Sequence, residues 1–206
     1  MRSVGIVSVF VLYLSSLTFA QSSDAPKYDS QKMDSQQPQM SHASNTDVPS
    51  PAAQTFAQIK NLAGVWQGPV TADPPQKDIK NGALVQVSLR VTSRGNTLVH
   101  EMKDPSVPDD PTRYDHPVTM FYLDSDRLLL THYCDAGNRP RMVARNSPDG
   151  KTVEFDFLDL AGSTQFGNMY HAVFTSVDAN HHVEDWTYMI PGGKQIHARM
   201  DLTRTQ

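Results

Sequence analysis

The sequence is poor in cysteine, in runs of one charge and in long apolar segments. Cys134 is the single cysteine and cannot form an internal disulfide, so stability must come from the core. We interpret Cys134 as a small buried apolar residue, with a reactive thiol as the alternative. The 18 basic and 22 acidic residues give a formal net charge of −4. Non-specific nucleic-acid binding requires a basic face, so we expect no nucleic-acid partner.

Known catalytic signatures are also missing from the sequence. It has no Gly-x-Ser-x-Gly elbow, no His-Glu-x-x-His motif and no glycine-rich phosphate loop. One cysteine cannot build a cysteine-rich zinc site. We therefore predict no catalytic residues and no metal ligands.

The one long apolar run lies at the N-terminus. Arg2 is the only charged residue among the first twenty, an apolar stretch follows from Val4 to Leu14, and the small residue Ala20 precedes Gln21. This pattern is typical of a secretory signal peptide over residues 1–20, with cleavage near Ala20. The alternative is a membrane anchor, which the run is too short to favour because a spanning helix needs about 20 apolar residues. We expect a periplasmic or secreted protein without an integral membrane span.

The segment that follows differs in composition from the rest of the chain. Residues 21–54 are rich in Ser, Gln, Asp and Pro and almost lack aromatic and β-branched side chains. Such a segment cannot bury enough apolar surface to offset its ordering entropy, so we predict a disordered linker. The folded domain is predicted over residues 55–206. It begins with a short helix over residues 56–62 that Thr55 caps.

Beyond the helix, polar and apolar residues alternate with a period of two. The clearest example is the segment 83–92, in which Ala83, Val85, Val87, Leu89 and Val91 occupy alternate positions. The predicted strands are 65–70, 83–92, 97–103, 118–123, 127–133, 141–145, 152–158, 170–176, 182–189 and 195–204.

The connections between these segments determine the predicted topology. No helical pattern lies between any two of them, and parallel strands would need long crossovers, so the sheet must be antiparallel. Closure into a barrel removes two exposed edges. We predict an all-β fold, a single antiparallel up-and-down β-barrel of about ten strands with a short N-terminal helix. The alternative is a two-sheet β-sandwich.

The triplet Gly64-Val65-Trp66 opens the first strand directly after the helix. It resembles the Gly-x-Trp start of the calycin group, which comprises lipocalins, fatty-acid-binding proteins and nitrobindins. The resemblance implies that Trp66 lies at the closed end of a barrel, under an arginine of the last strand. Arg204 shares the alternate positions of the apolar residues of that strand and so is expected on the same face, whereas Arg199 is expected on the opposite face. We therefore predict a barrel-closing cation–π contact between Arg204 and Trp66.

Five further segments carry a second resemblance: TMFYLD (119–124), LTHYC (130–134), GNRPRM (137–142), FDF (155–157) and EDWT (184–187). They resemble an uncharacterised family of exported bacterial lipocalin-like proteins, which implies a calycin-type barrel but no established function. The pair Gln67-Gly68 also resembles the opening of nitrobindin, which binds haem through a late histidine. His197, seven residues before Arg204, is the position that could correspond. We expect no cofactor, and haem is the alternative that this resemblance suggests.

Histidine, tyrosine and arginine residues on the strands are the candidates for a binding site. Parity with apolar neighbours predicts that His100, His132 and Tyr122 face the barrel interior. The predicted ligand-binding residues are His100, Tyr122, His132, Arg141 and Tyr170. An imidazole there could hydrogen-bond a ligand head group or coordinate a metal, and the alternative for each inward histidine is a core residue with satisfied hydrogen bonds. The pair His181-His182 follows a turn and is expected to be exposed.

These observations favour an exported small-molecule-binding protein. Its barrel would hold a small apolar or amphipathic ligand with a polar head group. Three alternatives stay open: an enzyme of the same fold that uses His132 and Arg141 on a carbonyl or carboxylate, a haem-binding nitrobindin-like protein, and a structural protein whose own side chains fill the barrel. Fold alone does not choose among them, and the sequence predicts no oligomeric state.

Overall fold

The computed structural model describes residues 48–146 and 149–206. The predicted signal peptide and residues 21–47 of the predicted linker lie outside the described residues. Within the described part, no helix is long and apolar enough to cross a membrane. The elements are one helix, α1 (Pro51–Lys60), and ten strands: β1 (Gly64–Asp73), β2 (Ala83–Thr92), β3 (Thr97–Lys103), β4 (Val118–Asp124), β5 (Arg127–Tyr133), β6 (Asn138–Asn146), β7 (Thr152–Gly162), β8 (Asn168–Asp178), β9 (His181–Met189) and β10 (Gln195–Arg204).

The ten strands form one closed antiparallel barrel. Each strand pairs with the next along the chain, and β1 pairs with β10, so that Trp66 lies opposite Arg204 and Val70 opposite Met200. Closure leaves no unpaired edge strand in the described sheet. The predicted up-and-down barrel is confirmed, and the two-sheet sandwich is not formed.

Helix α1 begins earlier than the sequence analysis predicted. Ser50 is its N-cap, and the Ser50 hydroxyl accepts a hydrogen bond from the Ala53 amide at 3.2 Å. Pro51 follows at the first helical position, where a missing N–H costs nothing and the fixed φ favours the helix. The predicted cap at Thr55 is wrong, because Thr55 lies inside the helix and its hydroxyl donates to the Pro51 carbonyl. Residues 51–54, which we assigned to the linker, are therefore helical.

The interior of the barrel is filled by large side chains. Phe121, Phe155 and Phe174 are at most 1% exposed, and their ring centroids lie 5.3–5.9 Å apart in tilted and edge-to-face arrangements. Phe56 and Ile59 of α1 belong to the same buried cluster. The helix therefore covers one end of the barrel, which we call the closed end.

Trp66 and Arg204 join the first and last strands at the closed end. Trp66 is fully buried, and its indole N–H donates to the Leu62 carbonyl at 2.8 Å. The Arg204 guanidinium carbon lies 4.0 Å from the centroid of the Trp66 ring. Arg204 also donates to the carbonyls of Ala63 at 2.7 Å and Ala179 at 3.0 Å. One cation thus connects the indole, the end of α1 and the turn before β9.

Gly64 is required at this end because Arg204 passes directly beside it. Its φ of +148° lies in a region that other residues rarely adopt, and an added Cβ would lie 2.1 Å from Arg204 Nη1. The glycine of the Gly-x-Trp triplet therefore makes room for the arginine that covers the tryptophan.

Replacing Arg204 tests the energetic role of this contact. We expect Arg204→Ala to lower the free energy of unfolding by about 1–3 kcal/mol, since a partly desolvated cation–π contact and hydrogen bonds to carbonyls are lost. The matched control is Arg199→Ala on the same strand, because Arg199 forms only an exposed ion pair with Asp185. Its effect should be within about 0.5 kcal/mol. Equal urea-denaturation midpoints for the two variants would contradict this role for Arg204.

Candidate functional site

A polar network lies in the middle of the barrel, enclosed by the aromatic core. We call it the buried histidine–glutamate network, and it consists of His100, His182, Glu184 and Trp186. His100 Nε2 lies 3.0 and 3.2 Å from the two Glu184 carboxylate oxygens. His182 Nε2 and Trp186 Nε1 each lie 3.0 Å from one of them. All four side chains are at most 2% exposed.

Strand β9 supplies three members of the network because of its alternation. His182, Glu184 and Trp186 occupy every second position, and successive side chains of a strand point to opposite faces, so all three point inward. His100 on β3 reaches the same carboxylate from across the barrel. The network therefore links two strands that are not neighbours in the sheet.

Glu184 is held in its ionised form. Burial acts to raise the pKa of Glu184, but the charge and hydrogen bonds of His100, and then those of His182, outweigh it and hold the pKa well below its ordinary value. An ionised carboxylate only accepts hydrogen bonds, so the Nε2 atoms of both histidines act as donors. The barrel core thus contains a carboxylate with three surrounding donors.

His132 lies beside the network but has a different partner. Its Nδ1 is 2.8 Å from the Thr119 hydroxyl oxygen, and its ring centroid is 5.4 Å from that of Trp186. Burial, and then the charge of His100, lower the pKa of His132 to about 3. His132 is therefore neutral at physiological pH.

Three ring nitrogens in this region have no hydrogen-bond partner: His100 Nδ1, His182 Nδ1 and His132 Nε2. All three histidines are 0% exposed, so a solute in bulk water does not reach them. These three histidines therefore lie behind the inner surface of the barrel and not on a surface open to solvent.

A cavity of about 300 Å³ opens at the end of the barrel opposite α1. We call it the mouth cavity. Its interior lining is apolar and comprises Val70, Val85, Met102, Pro117, Met169, Trp186, Ala198 and Met200. Trp186 lines the cavity while its indole N–H donates to Glu184. The buried network therefore holds the tryptophan that bounds the cavity on its inner side.

Charged side chains also line the mouth cavity: Asp78, Lys80, Lys103, Asp104 and Asp115. The Lys103 ammonium is paired with Asp109 at 2.7 Å. The apolar space therefore opens next to groups of both charge signs, an arrangement suited to an amphipathic molecule.

A second, more open cleft of about 410 Å³ lies between residues 111–117 and 133–135 and includes Cys134. Burial raises the pKa of the Cys134 thiol to about 11. Since the thiolate is the reactive form, Cys134 is a poor nucleophile at neutral pH.

The structure brings His100 and His132 into the interior but does not place them in the cavity lining. Both are fully buried and lie beside Trp186, which lines the cavity. The prediction that these histidines line one site with Tyr122, Arg141 and Tyr170 is wrong. Tyr122 and Arg141 lie on the outer face of the barrel, and Tyr170 is exposed and does not line the mouth cavity.

The outward positions of Tyr122 and Arg141 have local causes. Phe121 takes the interior position in β4, so its neighbour Tyr122 points outward and hydrogen-bonds the Thr131 hydroxyl at 3.0 Å. Arg141 pairs with Asp159, with its Nε 2.8 Å from the carboxylate.

Tyr170 is displaced by an irregularity in β8. The pairing with β9 skips this residue, between Met169 and His171, as at a β-bulge. Its ring stacks on Phe157 with centroids 5.3 Å apart. As a result Met169, not Tyr170, lines the mouth cavity.

Two further expectations from the sequence are changed by the structure. His182 is fully buried rather than exposed, and its ring packs edge-on against Trp66 at 4.2 Å. His132 and Arg141 lie on opposite faces of the barrel wall, so they cannot act together on one substrate.

His197, the histidine that the nitrobindin resemblance suggests, is exposed on β10. Its Nδ1 lies 3.1 Å from the Thr187 hydroxyl oxygen.

Sequence reasoning missed Glu184 and the cavity methionines. A signal for Glu184 was present, because it shares parity with Trp186 in β9. Met102, Met169 and Met200 carry no polar atom that would distinguish a ligand contact from a core residue. Only the packing shows which methionines are left facing an open space.

Comparisons with known proteins support the fold. No protein-family model matches the chain, and no curated protein does. Among solved structures the chain is similar to Rv2717c from M. tuberculosis, with a TM-score of 0.54 and 13% identity over 73% of this chain and 97% of that one. A protein of unknown function from the DUF3598 family of Nostoc punctiforme PCC 73102 gives a TM-score of 0.38 and 8% identity, over 71% of this chain and 48% of that one. The likeness to Rv2717c concerns the barrel fold alone.

The neutral state of His132 predicts a pH dependence of stability. The unfolded chain takes up this proton near pH 6.5, whereas the folded protein does so only at about pH 3. Between these values the unfolded state binds more protons, so stability falls as the pH falls. One such group contributes up to about 1.4 kcal/mol per pH unit.

Urea denaturation at pH 6.5, 5.5 and 4.5 measures this effect. His132→Gln should reduce the slope of the unfolding free energy against pH by up to about 1.4 kcal/mol per pH unit. His181→Gln is the control, because His181 is only partly buried and pairs with the exposed Asp201. An unchanged slope in His132→Gln would contradict a neutral His132.

Proposed function

We propose that the protein is exported and binds a small, largely apolar ligand with a polar head group in the mouth cavity. One observation carries the proposal: an apolar space of about 300 Å³ opens at one end of a barrel whose other end is closed. This volume lies at the lower limit of the range of about 300–1,000 Å³ for small-molecule sites. It favours a compact ligand over a large one.

The lining of the cavity suits the apolar body of such a ligand. The thioethers of Met102, Met169 and Met200 are flexible and polarisable and adapt to irregular apolar shapes. The Trp186 indole adds a large flat surface. This surface is anchored, because its N–H donates to Glu184. A preformed wall reduces the ordering cost of binding.

The charged side chains of the opening suit a polar head group. Lys80 and Asp78 lie on the same side of the opening, on the connection between β1 and β2. A head group there stays in contact with water while the body is buried, so its desolvation cost is small. The opening carries both positive and negative side chains. The proposal therefore includes ligands with an anionic, a cationic or a neutral polar head group.

A structural role is the second candidate, and the filled middle of the barrel favours it. The aromatic cluster and the buried histidine–glutamate network occupy the space that many ligand-binding barrels leave open. Under this alternative the mouth cavity is only a widening of the barrel end and retains no ligand.

Native mass spectrometry of the protein purified from its own host distinguishes the two candidates. A retained small molecule supports binding, and a ligand-free mass at every preparation favours the structural role. Absorbance near the Soret band of the same sample tests the haem alternative. N-terminal sequencing tests export, for which we expect a mature protein that begins near Gln21.

Filling the mouth cavity should remove binding. Ala198 lines the cavity, so we expect Ala198→Phe to weaken the binding of the fluorescent probe N-phenyl-1-naphthylamine at least about tenfold, since the added ring takes up ligand space. Ala161→Phe is the control, because Ala161 is exposed and does not line the cavity. Circular dichroism checks that both variants fold. Equal dissociation constants for the two variants would place the probe elsewhere and contradict the proposed site.

A further inference from the structure

A second group of chemically active side chains lies on the outer face of the barrel. We call it the outer-face cluster, and it consists of Glu154 and Asp156 on β7, His171 on β8 and Arg145 on β6. In the sheet register His171 lies opposite Asp156, and Arg145 lies opposite Glu154. The cluster shares no residue with the mouth cavity.

The distances within the cluster are those of potential metal ligands. His171 Nε2 lies 3.2 Å from Glu154 Oε1, and His171 Nδ1 lies 3.2 Å from Asp156 Oδ1. One ring nitrogen and one oxygen from each carboxylate lie within 4.8 Å of one another. Ligand atoms around a tetrahedral zinc ion are about 3.4 Å apart, given metal–ligand distances near 2.1 Å. One ion takes only one of the two ring nitrogens of His171, so a side-chain rotation must bring the second carboxylate to the same nitrogen.

The charges of the cluster also favour a cation. The carboxylates of Glu154 and Asp156 carry two negative charges, and the Arg145 guanidinium supplies one positive charge. The cluster therefore attracts a further positive ion.

We propose that the outer-face cluster binds a divalent transition-metal ion, with Zn²⁺ as the probe. Imidazole and carboxylate groups are ordinary zinc ligands, and three protein ligands leave one position for water. The ligand-bearing side chains of His171, Glu154 and Asp156 are 26%, 38% and 37% exposed, so an ion reaches them from solvent. Paired strands hold the three residues in register, which limits the ordering cost of binding.

Arg145 competes with the metal ion for the same oxygens. Its Nη2 lies 3.2 Å from Glu154 Oε1 and 2.8 Å from Asp156 Oδ1, the two atoms that His171 also approaches. An incoming ion must displace the guanidinium or share its ligands. Arg145 therefore weakens metal binding, and its removal strengthens it.

Isothermal titration calorimetry of the full chain with ZnCl₂ tests the proposal. We expect one Zn²⁺ site in the unchanged protein, at least tenfold weaker binding in His171→Gln and tighter binding in Arg145→Gln. His181→Gln is the matched control, because His181 is also an outer-face histidine but pairs with a single carboxylate, Asp201, at 2.8 Å. It should bind Zn²⁺ as the unchanged protein does.

Thermal unfolding provides a second readout. A ligand that binds only the folded state raises the unfolding temperature, so Zn²⁺ should raise it in the unchanged protein and not in His171→Gln. If His171→Gln does not fold, Asp156→Asn takes its place in both measurements. Absence of Zn²⁺ binding in the unchanged protein, or equal binding in His171→Gln or its substitute, would overturn the proposal. Neither result bears on the mouth cavity.

Discussion

The structure depends on one buried carboxylate, that of Glu184, and on the three groups that donate to it. His100 connects it to β3 across the barrel, His182 and Trp186 hold it from its own strand, and all are closed off from solvent. Removing one partner from a buried charged pair costs about 3–5 kcal/mol, because the remaining charge is left uncompensated. The network therefore favours one arrangement of the barrel core over others of similar apolar packing.

The same network connects the two ends of the barrel. Toward the closed end, the ring of His182 packs against Trp66, which Arg204 covers. Toward the open end, Trp186 lines the mouth cavity. A contiguous set of side chains thus runs from the seam between the first and last strands to the mouth cavity. His100, His182 and Glu184 lie behind the cavity wall and fix the position of Trp186, which forms part of that wall.

Much of the fold could be predicted from alternation alone. The bounds of four strands match the structure, and the parity argument chose Arg204, which the structure places over Trp66. The residues of the candidate site were harder to predict than the strands. Both faces of β4 carry apolar residues, and only the packing of Phe121 decides that Tyr122 points outward. At Tyr170 a bulge interrupts the alternation of inward and outward side chains along β8. The inward position of Glu184 could not be predicted from the sequence. Burying a carboxylate is costly unless hydrogen-bond partners lie close to it, and the alternation pattern does not show such partners.

The most direct test of this account is a carbon-13 NMR titration of the side-chain carboxyl group of Glu184, assigned by comparison with Glu184→Gln. Because the two histidines hold the pKa of Glu184 well below its ordinary value, its carboxyl signal should not titrate between pH 6 and pH 4, given an ordinary glutamate pKa of about 4.3. A carboxyl signal that titrates in this range like that of an exposed glutamate would show that the carboxylate is not held by these donors. That result would contradict the central claim.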